Sequence, residues 1–316
     1  MPPDSYTRRL LYKIAHVYYI EGLSQKQIGL RFGLSRIKVS RMLKQARDLK
    51  IVQITLSPGN ERTDRLEQQI EAIYGLHEAV VVSIEPENTK KDILRVLGSA
   101  AAECLVRSIQ GNETIAITWG HTILAAVDSL PTANWPDVRI VQSLGGLSQP
   151  DSRINAADLA QRTARALGAN LTLLSAPGIV ETKDIRDALL HDPQIKHTLA
   201  LAAKANLALV GIGVPAPTSQ SLVEVFKKSD LERLATIQAA GDIGLQFFDN
   251  NGLPIKDEIH DRIVGLTITQ YKAIPRVIAV ASGADKIRAI RAAMKGKIIN
   301  VLITDEVTAK KLVSSE

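Results

Sequence analysis

The chain has 316 residues and a mass of 34.3 kDa, a length that implies about two domains. Hydrophobic residues at 45% and charged residues at 23% give an ordinary globular composition, which argues against disorder. The first 50 residues hold 11 Lys+Arg against 3 Asp+Glu, leaving 28 against 30 for the rest, so the whole positive excess sits in one short module and points to an anionic polymer as partner.

No stretch reaches the roughly 18 consecutive apolar residues of a membrane helix, and Met1-Pro2-Pro3-Asp4 lacks the basic and apolar parts of a signal peptide. Cys104 is the single cysteine, which excludes an internal disulfide framework and a multi-cysteine metal site. A cytoplasmic protein without membrane contact is expected.

In chain order, Leu10, Leu11, Ile14, Ala15, Val17 and Tyr18 predict a first helix ending at Glu21-Gly22-Leu23. Ser24 and Gln27 form a capping box for a second helix through Phe32. Gly33 occupies a tight turn, and Ser35 caps a third helix to about Asp48. Helix, glycine turn and helix make a helix-turn-helix. Ile28, Phe32, Leu34, Val39 and Met42 would lock it together, with Gly29 at the close approach. Arg36, Lys38 and Ser40 are the expected base readers; Arg41, Lys44, Arg47, Gln25 and Gln27 are the expected phosphate contacts. Ile51–Leu56 is expected as a short strand, a wing, before the linker Ser57-Pro58-Gly59-Asn60.

Beyond it, Arg62–Tyr74 reads as a helix, Ala79–Ser83 as a strand and Thr89–Ile109 as a helix. Strand Thr114–Thr118, a helix from about Thr122, strand Val138–Leu144, helix Asn155–Leu167 and strand Leu171–Leu174 follow. Helices Thr182–Leu190 and Gln194–Lys204 lead into strand Leu207–Val210. The end reads Val277–Ala281, Lys286–Met294, Ile298–Ile303 and Val307–Leu312 as strand, helix, strand, helix. Buried strands alternating with amphipathic helices predict an α/β, mostly parallel, doubly wound sheet.

Such sheets bind ligands where strands end and helices begin. That rule selects Thr118-Trp119-Gly120-His121-Thr122, Gly145-Gly146, Gly211-Ile212-Gly213 and the turn Ser282-Gly283-Ala284-Asp285-Lys286. The last suits a phosphate, with amides and a helix start to cradle it and a lysine to neutralise it. Gly211–Ala216 also matches G-x-G-x-x-A, but Pro215 and Pro217 oppose the helix that a dinucleotide site needs. Asp242 reads equally as a turn residue and as a sugar-hydroxyl acceptor. Cys104 falls in a helical pattern and reads as packing, and His191 and His197 flank Pro193 and read as facing solvent. The six histidines have no tight metal-ligand spacing, and no G-x-S-x-G, H-E-x-x-H or Walker sequence occurs, so no metal, cofactor or catalytic set is expected.

The whole chain resembles the SorC family of bacterial sugar-responsive regulators. The likeness rests on Tyr18-Tyr19, Gly22-Leu23-Ser24-Gln25 and Leu34-Ser35-Arg36-Ile37-Lys38-Val39-Ser40-Arg41 at the N-terminus. Toward the C-terminus it rests on Gly241-Asp242, Phe247-Phe248-Asp249, Gly283 with Lys286, and Gly296 through Asn300-Val301-Leu302-Ile303-Thr304-Asp305. The resemblance implies a helix-turn-helix, winged-helix-like DNA-binding domain over residues 1–56. An effector and oligomerisation domain similar to the sugar-phosphate isomerase and deaminase fold would then cover 57–316. It implies Lys286 and Gly283 at an effector phosphate, residues 118–122 as pocket wall, and Asp242 and Asp305 on hydroxyls. His121 lies at the variable loop position and would read the individual ligand. A homo-oligomer, dimer or tetramer, on operator DNA is also implied. The alternative is a sugar-phosphate isomerase or deaminase with an accessory DNA-binding domain, its base drawn from Asp242, His260 or Asp305.

Overall fold

A computed structural model describes residues 5–54, 61–85, 87–147, 155–215, 220–223 and 225–314. The chain divides into two compact units, Met1–Gly59 and Asn60–Glu316. The expected boundary at 56/57, the linker at 57–60, and Ala216 and Pro217 lie outside the described residues.

In the first unit, helices α1 (Ser5–Tyr19), α2 (Gln25–Phe32) and α3 (Arg36–Asp48) enclose Leu11, Ile14, Val17, Ile28, Val39, Met42, Leu43 and Ala46. Local chemistry sets their ends. The Ser24 hydroxyl accepts from Gln27 N–H, and Gln27 Oε1 accepts from Ser24 N–H at 2.9 Å, closing the capping box. Gly33 takes the left-handed turn at φ 66°. Gly29 is glycine for space: a Cβ there would lie 2.6 Å from the Leu34 carbonyl oxygen.

The wing strand expected over Ile51–Leu56 is absent from its described part, residues 51–54. Lys50 turns left-handed at φ 55°, and the Ile51 and Val52 amides donate back to the Ala46 carbonyl at 2.9 and 3.2 Å. Their side chains pack on the three-helix core, so apolar residues that read as a strand serve to cover the end of α3.

The second unit opens with α4 (Glu61–Tyr74), β1 (Glu78–Val82), α5 (Lys90–Ser108), β2 (Thr114–Ile117) and α6 (His121–Asp128). It continues with β3 (Arg139–Gln142), α7 (Ala156–Leu167), β4 (Asn170–Thr172), α8 (Lys183–His191), α9 (Pro193–Ala203) and β5 (Leu207–Gly211). Next come α10 (Gln220–Val223), α11 (Lys228–Thr236), the hairpin β6 (Gly241–Ile243) and β7 (Gln246–Phe248), and α12 (Ile268–Ala273). The end is β8 (Arg276–Val280), α13 (Ile287–Lys295), β9 (Val301–Asp305) and α14 (Glu306–Val313). Residues 212–275, for which periodicity predicts no element, thus carry short helices and three-residue strands too brief to show a period.

The main sheet is seven-stranded and parallel, in the order β1-β9-β8-β5-β2-β3-β4. Alternation along each strand divides the core. Ile115, Ile117, Leu207, Leu209, Ile278 and Val280 pack with α5, α6 and α7, whereas Ala116, Ala208, Val210, Ala279 and Leu302 pack with α4, α9, α12, α13 and α14. Helices therefore cover both faces. A third apolar cluster around Leu144, Leu222, Phe226, Phe247 and Ile263 stands at the carboxyl ends of the strands, tied there by the Gly213–Asp242 and Leu144–Gly265 bridges. Among the described residues, no helix is long and apolar enough to cross a membrane.

Candidate ligand cavity and nucleic-acid interface

From β2 the chain winds toward β3 and β4, and from β5 toward β8 and β9, so the winding reverses between β2 and β5. A crevice opens at such a reversal on the carboxyl side of the sheet. A cavity of about 600 Å³ lies there, within the size range of small-molecule sites. It gathers Trp119, Gly120, His121, Thr122, Gly211, Gly213, Asp242, Gly283, Lys286 and Asp305, residues spread over some 190 positions of sequence and all singled out above.

Three expected residues stand elsewhere. Thr118 is buried behind the wall, where its hydroxyl accepts from Gly211 N–H at 3.3 Å and ties the ends of β2 and β5 together. Gly145 and Gly146 pack on residues 176–178 instead of lining the cavity. Gly146 N–H donates to Ala176, Gly178 N–H donates to Gly146, and a Cβ on Gly145 would meet the Pro177 carbonyl at 2.5 Å. Their glycines serve close packing.

Sequence reasoning missed Ile84, Lys90, Ile93 and Leu94, which close the cavity from the β1–α5 side. The strand-end rule applied to β1 would have found the first two. Leu222, Gly244, Val307 and Thr308 were also missed. A larger groove of about 800 Å³ runs between α8, α11 and the 258–262 turn, but its charged walls are already paired: Arg262 with Asp230 at 2.6 Å, Arg233 with Asp257 at 3.0 Å.

Asp242 supplies the sharpest chemistry. Its side chain is only 5% exposed; Oδ2 accepts from Leu245 N–H at 3.1 Å, and Oδ1 has no hydrogen-bond partner among the described residues. Asp242 thus lies in β6 and braces the β6–β7 turn through Oδ2. Burial raises its carboxyl to about 6, against the opposing pull of the Leu245 amide and the Lys286 ammonium. Lys286 Nζ donates to the Ile212 carbonyl at 2.8 Å, which leaves two ammonium hydrogens for a ligand. Burial draws its pKa down, while Asp285 and Asp242 hold it up.

A carboxyl raised in the folded state favours folding below its unfolded pKa and loses that advantage as pH rises through the folded value. From 3.8 to about 6, the ionised form of Asp242 costs at most about 3 kcal/mol at neutral pH. Asp242→Asn is thus expected to melt higher than the parent at pH 8, with the gap closing below about pH 4. Melting temperatures of both proteins across that range check it.

Asp305 lines the cavity but is engaged. Oδ1 accepts from Thr308 N–H at 2.8 Å and Oδ2 from the Thr308 hydroxyl at 2.6 Å, capping α14. The same hydroxyl accepts from Gly283 N–H at 2.9 Å, so Asp305 positions the Gly283 turn through Thr308 rather than offering a free acceptor of its own. His260 is also engaged: Nε2 accepts from Phe247 N–H at 2.8 Å, and its ring stacks on Phe247. Gly213 pairs with Asp242, and the next described helix after Gly211-Ile212-Gly213 begins at Gln220, which removes the dinucleotide reading. Cys104 is buried in α5, and burial pushes its thiol pKa up.

In the first unit, α3 buries Val39, Met42, Leu43 and Ala46 and exposes Arg36, Lys38, Ser40, Arg41, Lys44 and Arg47. The Ser35 hydroxyl is occupied as the cap, accepting from Lys38 N–H at 3.2 Å. Gln27 Oε1 is likewise occupied by Ser24, and Gln25 is half-buried. Arg41 and Lys44 project directly opposite the buried stripe, whereas Arg36 and Lys38 flank it on either side.

A family model described as "Putative sugar-binding domain" matches residues 59–314. The deoxyribonucleoside regulator of Bacillus subtilis is 30% identical over 313 residues, covering 98% of this chain and 99% of that protein. The sorbitol operon regulator of Klebsiella pneumoniae is 29% identical over 307 residues, covering 96% and 97%. The crystal structure of full-length SorC from Klebsiella pneumoniae matches with a TM-score of 0.76 at 28% identity, over 98% of this chain and 100% of that one.

Proposed function

The chain belongs to the SorC family of transcriptional regulators that carry a sugar-binding domain, and from that premise we propose that it binds operator DNA under the control of a phosphorylated sugar or related metabolite. One observation carries the effector half: Lys286, the Gly283 turn before α13 and Asp242, whose Oδ1 has no hydrogen-bond partner among the described residues, line one cavity. The ammonium and the turn suit a phosphate, and the buried carboxylate suits a sugar hydroxyl. The DNA half is supported by the cationic outer face of α3 on a helix-turn-helix scaffold.

Residues 1–56 are read as the DNA-binding domain and 57–316 as the effector and oligomerisation domain of a cytoplasmic homo-oligomer, dimer or tetramer. Effector and operator then each change the other's affinity by the same factor. The cavity is read as a receptor, not a catalytic site. Of the three bases an isomerase would draw on, His260 and Asp305 are occupied in holding the structure, which leaves Asp242 alone.

The test is thermal melting of the protein against a panel of sugar phosphates and their unphosphorylated parents, with the panel then analysed for turnover. One phosphorylated compound at 100 times its Kd is expected to add about 2.7 kcal/mol and to remain unconsumed. Stabilisation by free sugars only would remove the phosphate, and conversion of the compound would restore the enzyme.

A further inference from the structure

At about 3.6 residues per turn, Ile37, Arg41 and Lys44 share one stripe of α3, opposite the buried Val39, Met42, Leu43 and Ala46. Ile37 is 66% exposed there, in the first turn of the helix. Single exposed apolar side chains are common and call for no explanation by themselves. This one stands at the centre of a surface whose other members are Arg36, Lys38, Ser40, Arg41, Lys44 and Arg47. A cationic face of that kind is complementary to duplex DNA. The N-terminal turn of a recognition helix is the part that reaches the base edges.

We infer that Ile37 is a sequence-reading residue that packs against the C5-methyl group of a thymine in the major groove. This rests on the DNA-binding reading above and adds to it the residue and the base. An isoleucine has no hydrogen-bonding group, so the apolar feature it can recognise on a major-groove base edge is the thymine methyl. Those cations around it that sit on phosphates fix the helix in place without carrying sequence information. Arg41 and Lys44, on the same stripe, point the same way along the groove and would read or clamp the neighbouring positions. The expected division of labour is an apolar reader at the start of α3 and cations along the remainder.

The test is selection of duplexes from a randomised library by the full-length protein and by Ile37→Ala. With Ile37 so exposed, the variant is expected to keep its fold, which its melting temperature checks. The parent is expected to select a site with at least one fixed thymine, and Ile37→Ala to lose preference at that base pair alone. Replacing that thymine by uracil removes only the methyl. It is expected to weaken the parent about fourfold and to leave Ile37→Ala unchanged. A selected site at which no thymine-to-uracil exchange affects the parent would overturn the role of Ile37 and leave the DNA-binding reading standing. Failure of the parent to enrich any sequence would overturn that reading and this inference with it.

Discussion

Replacing Lys286 by alanine is expected to cut stabilisation by a phosphorylated ligand to half or less while leaving affinity for DNA in its absence close to that of the parent. The ammonium is the cation that the cavity presents beside the Gly283 turn, held in place by one hydrogen bond to the Ile212 carbonyl. A hydrogen bond to a charged group contributes about 1.5–3 kcal/mol. Its loss lowers affinity by roughly one to two orders of magnitude, which at 100 times the parent's Kd cuts the stabilisation from about 2.7 kcal/mol to between about 1.4 and 0.4 kcal/mol. Stability without ligand should change little, because a half-buried ammonium that burial already disfavours disappears along with its one hydrogen bond. Melting curves with and without ligand, beside DNA titrations of both proteins, give the comparison. An undiminished ligand shift in Lys286→Ala would remove the phosphate from this end of the cavity.

Gly213→Val is expected to eliminate ligand binding by a different route. Gly213 does not need its glycine for a left-handed backbone; it is absent from the positive-φ positions. It needs the space. A Cβ there would fall 2.0 Å from Asp242 Oδ1, the buried oxygen without a hydrogen-bond partner among the described residues. Valine must displace that carboxylate or pull apart the Gly213–Asp242 backbone pair, whose hydrogen bonds are 2.9 and 3.2 Å long. Overpacking of this kind costs about 1–3 kcal/mol, so a lower melting point should accompany the lost ligand shift. Gly211→Ala, also in the cavity wall, is the milder comparison: its Cβ would come 3.3 Å from the Thr122 hydroxyl, a tight contact that leaves Asp242 in place. If Gly213→Val responds to ligand as the parent does, Asp242 does not face the ligand.

Much of the architecture was legible in the sequence because its signals are local. Ser24 with Gln27, and Gly33 after Phe32, lie within a turn or two of the groups they satisfy. The alternation of Leu207, Ala208, Leu209 and Val210 between the two cores is a property of a strand whatever surrounds it. The same locality explains the errors. Ile51 and Val52 have the residue types of a strand, but among the described residues no strand pairs with them and the core of the first unit takes them instead. Gly145 and Gly146 end β3 as a ligand loop would, yet residues 176–178 fill the space in front of them.

The sequence by itself determined the two modules, the helix-turn-helix with its caps, the parallel sheet, and the strand ends from which a site would be drawn. Only the tertiary structure decided which of those ends meet. Thr118 and Gly211 are 93 positions apart and Lys286 and Ile212 are 74 apart, yet each pair is joined by one hydrogen bond. It also decided which groups remain free: Asp305 is spent on Thr308 and His260 on Phe247, while one oxygen of Asp242 has no hydrogen-bond partner among the described residues. The physical reason is that caps and periodicities are satisfied within a few residues. A cavity exists only between segments brought together by packing, and whether a polar atom in it is free depends on every neighbour that the fold supplies.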